Sequence, residues 1–103
     1  MAMLHIVNKS PFERNALSSC LETAQDGSSV LLIEDGVVGA TIGGRLSDAI
    51  SQAMERKLVF YVLTPDLKAR GFLDNQVLEG IKLVGYEDFV DLVADHVNVQ
   101  SWL

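Results

Sequence analysis

Short apolar runs bounded by turn residues constrain the fold of this chain more than any other feature. Several of them are continuously apolar rather than alternating, which is typical of strands covered on both faces of a sheet. They are also rich in Val, Ile and aromatic side chains, which favours strand over buried helix. The runs are LHIV at 4–7, VLLI at 30–33, LVFYVL at 58–63, IKLV at 81–84 and VNVQSWL at 97–103. The sequence therefore predicts about five strands.

Helical patterns fill the segments between these runs. Three segments (12–24, 46–54 and 86–97) repeat apolar residues at helical spacing, and such stripes normally face a core. In the last of them the stripe is Tyr86, Phe89, Val90, Val93, Ala94 and Val97. A short fourth helix is predicted at TPDLKARG, with Thr64 as N-cap, Pro65 in the first turn and Gly71 past the end.

The alternation of strands and helices predicts the fold class. It implies βαβ units and a mostly parallel sheet. We therefore expect one α/β domain over residues 1–103, with five strands and helices on both faces. In such a sheet, ligands bind beyond the carboxyl ends of the strands. The segments of interest for function are therefore 8–12, 34–39, 64–66 and 85–88.

Composition excludes several classes of function. The chain has 103 residues, of which 49% are hydrophobic and 21% charged, as in a globular protein. Its 8 basic and 14 acidic residues give a net charge of −6, which argues against nucleic-acid binding. The apolar runs are too short to span a bilayer, so no membrane association is expected. A single cysteine cannot form an internal disulfide, and this predicts a cytoplasmic protein.

The polar candidates at the strand ends have ordinary structural explanations. Glu34-Asp35-Gly36 pairs two carboxylates that could bind a cation or serve in acid–base chemistry, but a turn is favoured. TIGGR at 41–45 could form an anion-binding nest, although a flexible connection is favoured. Lys68 and Arg70 are predicted to be solvated.

Cys20 is the only thiol, and its local sequence predicts a core residue. Ser10-Pro11-Phe12-Glu13 matches a helix start with a capping box, so Cys20 lies about ten residues into the helix. It is then roughly 15 Å from the helix N-terminus, where the helix dipole cannot lower its pKa. The helical wheel also places it within the apolar stripe. The sequence alone therefore predicts a buried and inert thiol.

The two histidines do not change this prediction. A dyad of His5 with Cys20 is conceivable but disfavoured, because one residue is on a strand and the other on a helix. His96 ends an acidic helix, where a cation would complement the dipole. No spacing of His, Cys, Asp or Glu suggests a metal site, and we expect neither a metal nor another cofactor.

Segments along nearly the whole chain resemble the DsrH/TusB family. They are MLHIVNKSPF near the start, VLLIEDGVVGA in the middle, LVFYVLTPDLKARGF after it and GYEDFVDLV near the end. Cys20 makes the chain more similar to DsrH than to TusB. The resemblance implies a small flavodoxin-like subunit of a cytoplasmic DsrEFH complex, a heterohexamer with DsrE-like and DsrF-like chains.

The resemblance also implies a function. Such a complex relays persulfide sulfur to a DsrC- or TusE-like acceptor in sulfur oxidation, and the similar TusBCD complex serves 2-thiolation of the tRNA wobble uridine. The main persulfide cysteine of the family lies on the DsrE/TusD-type subunit, which leaves open whether this chain is itself catalytic. Cys20 matches a DsrH position in the first helix, which makes it a candidate persulfide carrier or docking thiol. The alternatives are a non-catalytic scaffold subunit and a free-standing binder of small molecules.

Overall fold

A five-stranded parallel sheet forms the centre of the molecule. The computed structural model describes residues 3–10, 16–41, 46–96 and 98–102. The strands are β1 Met3–Val7, β2 Ser29–Leu32, β3 Val59–Leu63, β4 Lys82–Val84 and β5 Asn98–Trp102. They pair in the order β4-β3-β2-β1-β5, and every pair is parallel. The predicted parallel sheet of five strands is confirmed.

Helices connect the strands, as the apolar periodicity predicts. They are α1 Ala16–Thr23, α2 Ser47–Glu55, α3 Thr64–Ala69 and α4 Tyr86–Asp95, with 3₁₀ segments at Glu34–Ala40 and Asp74–Gln76. One detail differs: Thr64 is the first residue of α3 rather than its N-cap, because Leu63 occupies that position. Gly71 follows the helix with φ of +80°, the left-handed conformation that favours glycine after a helix.

The strand order explains how the helices are distributed over the two faces. Three successive connections step from β1 to β4 in one direction, and right-handed crossovers place their helices on the same face. The connection from β4 to β5 returns across the sheet, so α4 covers the opposite face. The layers are those of a flavodoxin-like domain, although flavodoxin itself has the strand order 2-1-3-4-5.

Alternate strand residues contribute to two separate cores. The first core lies under α1, α2 and α3 and includes Leu17, Cys20, Val30, Leu32, Ile50, Phe60, Val62 and Leu67, all fully buried. The second lies under α4 and is smaller, with Leu4, Leu31, Leu63 and Val84 packed against Phe89 and Leu92. Each fully buried large apolar side chain contributes about 1.5–3 kcal/mol, so most of the stabilising burial lies on the first face.

Arg56 fixes the end of α1 against α2. Its guanidinium donates to the carbonyl of Leu21 at 3.1 Å and to the carbonyl of Ala24, which follows the last residue of α1. Its Nε also forms an ion pair with Asp26 at 3.0 Å. The last carbonyls of a helix have no partner within the helix, and here a side chain from the end of α2 supplies one. The helix that carries Cys20 is thereby held in place on the sheet.

Candidate functional site

Polar contacts join the 3₁₀ segment after β2 to α3, which follows β3 directly, at the edge where α/β sheets bind ligands. The backbone N–H of Glu34 donates to Oδ2 of Asp66 at 2.7 Å. Arg70 donates from Nε to Oδ1 of Asp35 at 2.9 Å and from Nη1 to the carbonyl of Asp66 at 3.2 Å. Lys68 and Arg70 are exposed, as predicted, but Arg70 also forms an ion pair with Asp35 that the sequence did not indicate. These carboxylates hold α3 against the 3₁₀ segment.

The 3₁₀ segment also lies directly on the end of β1. A Cβ at Gly36 would be only 2.2 Å from the carbonyl oxygen of Val7. Glu34, the first residue of the segment, has φ of 50°, which is a costly conformation for a residue with a side chain. Glu34 lies two residues before Gly36, where the chain contacts β1. No room for a ligand remains between this segment and the end of β1.

Cys20 lies in the first core with no exposed surface. Its side chain points from α1 toward the sheet together with Leu17 and Leu21, and its relative exposure is 0%. Burial raises the pKa of the thiol to about 12, because the apolar surroundings disfavour the thiolate. In this conformation Cys20 presents neither an accessible sulfur atom nor a nucleophilic thiolate. The candidate role as a persulfide carrier stays a prediction.

His5 is paired with Trp102 and not with Cys20. The indole N–H of Trp102 donates to Nδ1 of His5 at 3.0 Å, and the two ring centroids are 6.1 Å apart. Among the residues that the structure describes, no hydrogen bond joins His5 to Cys20. Burial lowers the pKa of His5, which favours the neutral imidazole that accepts this bond. His5 therefore links β1 to β5.

We expect the buried His5 to make the protein less stable in mild acid. Its pKa in the folded state lies below the ordinary 6.5, so the unfolded chain binds the proton first as the pH falls. The contribution of His5 is complete above about pH 6.5 and is lost below it. Thermal unfolding of wild type and His5→Asn, followed by Trp102 fluorescence, should show a difference in Tm that shrinks from about pH 7.5 to about pH 5.5. Asn was chosen because it keeps a hydrogen-bond acceptor near the position of Nδ1 but does not titrate. A difference in Tm that does not change with pH would contradict this explanation.

His96 anchors the C-terminal end of α4. Its Nδ1 lies 2.7 Å from the carbonyl of Leu92, and its Nε2 lies 3.2 Å from the hydroxyl oxygen of Ser29. An N–H at Nδ1 donating to Leu92, with the Ser29 hydroxyl donating to Nε2, satisfies both contacts. The ring lies at the helix terminus, as predicted, and ties α4 to β2.

Two candidate sites fall wholly or partly outside the described residues. Residues 11–15 are not described, so the helix start predicted at Ser10–Glu13 is not observed, although Ser10 itself is buried. Residues 42–45 of TIGGR lie outside as well. Thr41 is described, and its hydroxyl donates to the carbonyl of Val38 at 2.8 Å.

Residues 3–10, 16–41, 46–96 and 98–102 contain neither a cluster of metal ligands nor a helix that could cross a membrane. Within these ranges no three His, Cys, Asp or Glu side chains come together as metal ligands would. None of the helices in them has the length and apolar character needed to cross a membrane.

The outer side of α4 is the feature that sequence reasoning missed. Tyr86, Val90 and Val93 belong to the predicted apolar stripe but are exposed, whereas Phe89 and Leu92 pack on the sheet. At about 100° per residue, the apolar positions cover roughly 200° of the helix. An arc of this width is wider than one core-facing side of a helix requires. The excess width is the sequence feature that could have revealed the exposed apolar face.

Comparison with known sequences gives full-length relatives. A family model described as DsrH-like protein matches residues 9–99. The TusB protein of Pectobacterium atrosepticum is 33% identical over 100 residues, which cover 97% of this chain and 100% of the relative. The TusB proteins of Erwinia tasmaniensis and Escherichia coli are 38% and 34% identical over the same shares of each chain.

Solved structures share the fold at low sequence identity. The crystal structure of the Escherichia coli protein ychN has a TM-score of 0.81 at 12% identity, covering 98% of this chain and 99% of that one. A protein of unknown function from Methanobacterium thermoautotrophicum has a TM-score of 0.70 at 18% identity, with 97% and 96% covered. The three-layer arrangement of this chain is therefore a known fold.

Proposed function

Because this chain belongs to the DsrH/TusB family of sulfur-relay subunits, we propose that it is a structural subunit of a persulfide-relay complex. In this proposal it assembles with two related chains, and one of them carries the sulfur-bearing cysteine. The observation that carries the proposal is the full burial of Cys20. The only thiol of the chain is part of the core that holds α1 on the sheet, so its first role is packing.

We further propose that the complex is of the TusBCD type and serves 2-thiolation of the tRNA wobble uridine. The support is the set of full-length relatives, which carry the name TusB at 33–38% identity. The partners would then be TusC- and TusD-like chains, and the acceptor a TusE-like protein. A relay of thiols and persulfides suits a reducing compartment, and the proposal places it in the cytoplasm.

The second candidate is a DsrEFH-type complex for sulfur oxidation, with DsrE-like and DsrF-like partners, a DsrC-like acceptor and Cys20 as an auxiliary persulfide carrier. The match to the DsrH-like family model and the presence of Cys20 support it. The thiolate of Cys20 would attack the outer sulfur of a donor persulfide. That S–S bond breaks as the new one forms, and the donor cysteine leaves as a thiolate. This chemistry requires α1 to expose Cys20 in the complex.

The two candidates predict different results in one experiment. The chain is co-expressed with TusC- and TusD-like, or DsrE- and DsrF-like, chains, and the purified complex is incubated with a persulfide donor. Intact mass then shows which subunit gains sulfur, and transfer to the acceptor protein is followed over time. As a structural subunit, this chain gains no sulfur, and Cys20→Ala leaves the transfer rate unchanged.

A matched control defines the scale of the effect. Replacing the persulfide cysteine of the partner chain by serine should abolish transfer, because in this proposal that cysteine supplies the thiolate that forms the persulfide. Sulfur found on Cys20, together with slower transfer by Cys20→Ala, would instead establish the carrier role. Failure of the wild-type chain to co-purify with either pair of partners would refute its assignment as a subunit.

A further inference from the structure

The outer face of α4 is an apolar surface with no partner in the described structure. We define the α4 outer face as Tyr86, Val90, Val93 and Ala94. The relative exposures of Tyr86, Val90 and Val93 are 60%, 67% and 38%. With Phe89 at its base, the face borders a shallow groove of about 590 Å³ that only apolar side chains line. Exposed apolar patches on small proteins commonly mark interaction sites.

Packing of the domain does not account for this face. Phe89 and Leu92 already fill the second core, and His96 anchors the end of the helix. Val99 pairs with Leu4 in register and so is a further apolar side chain on the side of the sheet that α4 covers. It is 42% exposed. Folding of the domain therefore does not explain why these exposed side chains are apolar.

The charges on α4 specify the kind of partner. The helix contains Glu87, Asp88, Asp91 and Asp95 and no Lys or Arg. Asp88 accepts the backbone N–H of Gly85 at 3.0 Å. Glu87, Asp91 and Asp95 follow one another at intervals of four residues and form an exposed acidic ridge beside the face. A second copy of this chain would bring like charges together, which opposes association.

We propose that the α4 outer face binds a different protein chain, whose apolar side chains are bordered by Lys or Arg. The apolar groups would fill the groove, and the basic groups would pair with the acidic ridge at its rim. The inference rests on the proposed function, because the partner is one of the two other subunits of the complex. It adds the surface through which the subunits meet and the charge that the partner surface must carry.

The first test removes the apolar character of the face. Val90→Gln with Val93→Gln should lower the affinity for the partner chains at least tenfold, measured by titration in solution. Glutamine is a good helix former and both sites are exposed, so the unfolding midpoint should stay close to that of wild type. The matched control is Leu73→Gln with Leu83→Gln. These residues are 64% and 43% exposed and lie off α4, so their replacement should leave the affinity unchanged.

The second test reverses the rim charge. Glu87→Lys with Asp91→Lys should slow association with the partner chains about tenfold at low salt, with a smaller effect at high salt. The control is Asp48→Lys with Glu55→Lys, which changes the net charge by the same amount. Both residues are exposed but lie on α2 and not on α4. Equal effects from both pairs would show that only the total charge matters and would overturn the assignment of the rim.

The outcomes separate this inference from the proposed function. If the wild-type chain binds neither pair of partner chains, the proposed function fails and the surface assignment fails with it. If the wild-type chain binds and the Val90/Val93 variant binds equally well, only the surface assignment fails. A dimer of the chain alone in sedimentation, abolished by the Val90/Val93 variant, would show that a second copy occupies the face and would also overturn the proposal.

Discussion

The Cys20 thiol of the folded protein should react with a disulfide reagent at least about a thousandfold more slowly than the same thiol in the unfolded chain. Burial raises its pKa from 9.0 to about 12, which lowers the thiolate fraction near neutral pH by about three powers of ten. The absence of exposed surface on Cys20 slows the reaction further. Release of the chromophore from an aromatic disulfide, with and without denaturant, measures both rates.

A second cysteine on the same helix provides the control. Glu22 is exposed on α1, so Glu22→Cys in a Cys20→Ala background should react at nearly the rate of the unfolded chain. If Cys20 in native wild type reacts as fast as this control, α1 opens readily and the structural role is wrong. Repeating the measurement after adding the partner chains tests the carrier hypothesis, which requires the rate to rise on assembly.

Gly36→Ala should destabilise the protein by more than about 3 kcal/mol, a large part of the stability of a small domain. The added methyl group would lie 2.2 Å from the carbonyl oxygen of Val7 and 2.9 Å from its carbonyl carbon. Both are backbone atoms of β1, which is paired on both sides in the sheet, and they cannot move aside as a flexible side chain would. The midpoint of urea unfolding, followed by Trp102 fluorescence, measures the loss.

Gly85→Ala is the matched control for this substitution. Gly85 has φ of −100°, which alanine adopts without strain, and the nearest atom to its added Cβ would be Oδ2 of Asp88 at 4.0 Å. The loss should stay below about 1 kcal/mol, the usual cost of alanine at a helix N-cap. Similar midpoints for the two variants would show that the 3₁₀ segment moves away from β1 more easily than its contacts indicate.

Local sequence patterns predicted the elements of this fold well, since each strand is a short apolar run and each helix has apolar residues at helical spacing. The second apolar run, 30–33, corresponds to β2 at Ser29–Leu32, displaced by one residue because Ile33 is already the N-cap of the 3₁₀ segment. Burial of Cys20 could also be predicted, because the helical wheel places it between other apolar residues. Such predictions need only residues that are close along the chain.

Contacts between distant residues could not be predicted in this way. The bond between His5 and Trp102 joins residues 97 positions apart, and it exists only because β5 pairs with β1. Arg70 meets Asp35 across 35 positions for a similar reason. The strand order decides both contacts, and no local pattern encodes it. The exposed apolar side of α4 was missed for another reason. Its apolar residues cover so wide an arc that the pattern fits a helix packed on a core as well as a helix with a second, exposed apolar face.

The placement of α4 on its own face of the sheet has a consequence for synthesis of the chain. Residues 86–95 are the only helix over Leu4, Leu31 and Leu63 in the described fold, and they leave the ribosome after all three helices of the other face. Until then, a nascent chain can close its first core but keeps the other side of the sheet bare. β5 emerges later still, although it must pair with β1, the first strand made. The second core can therefore close only after α4 and β5 have been made, and until then the nascent chain exposes the apolar side chains on that side of the sheet.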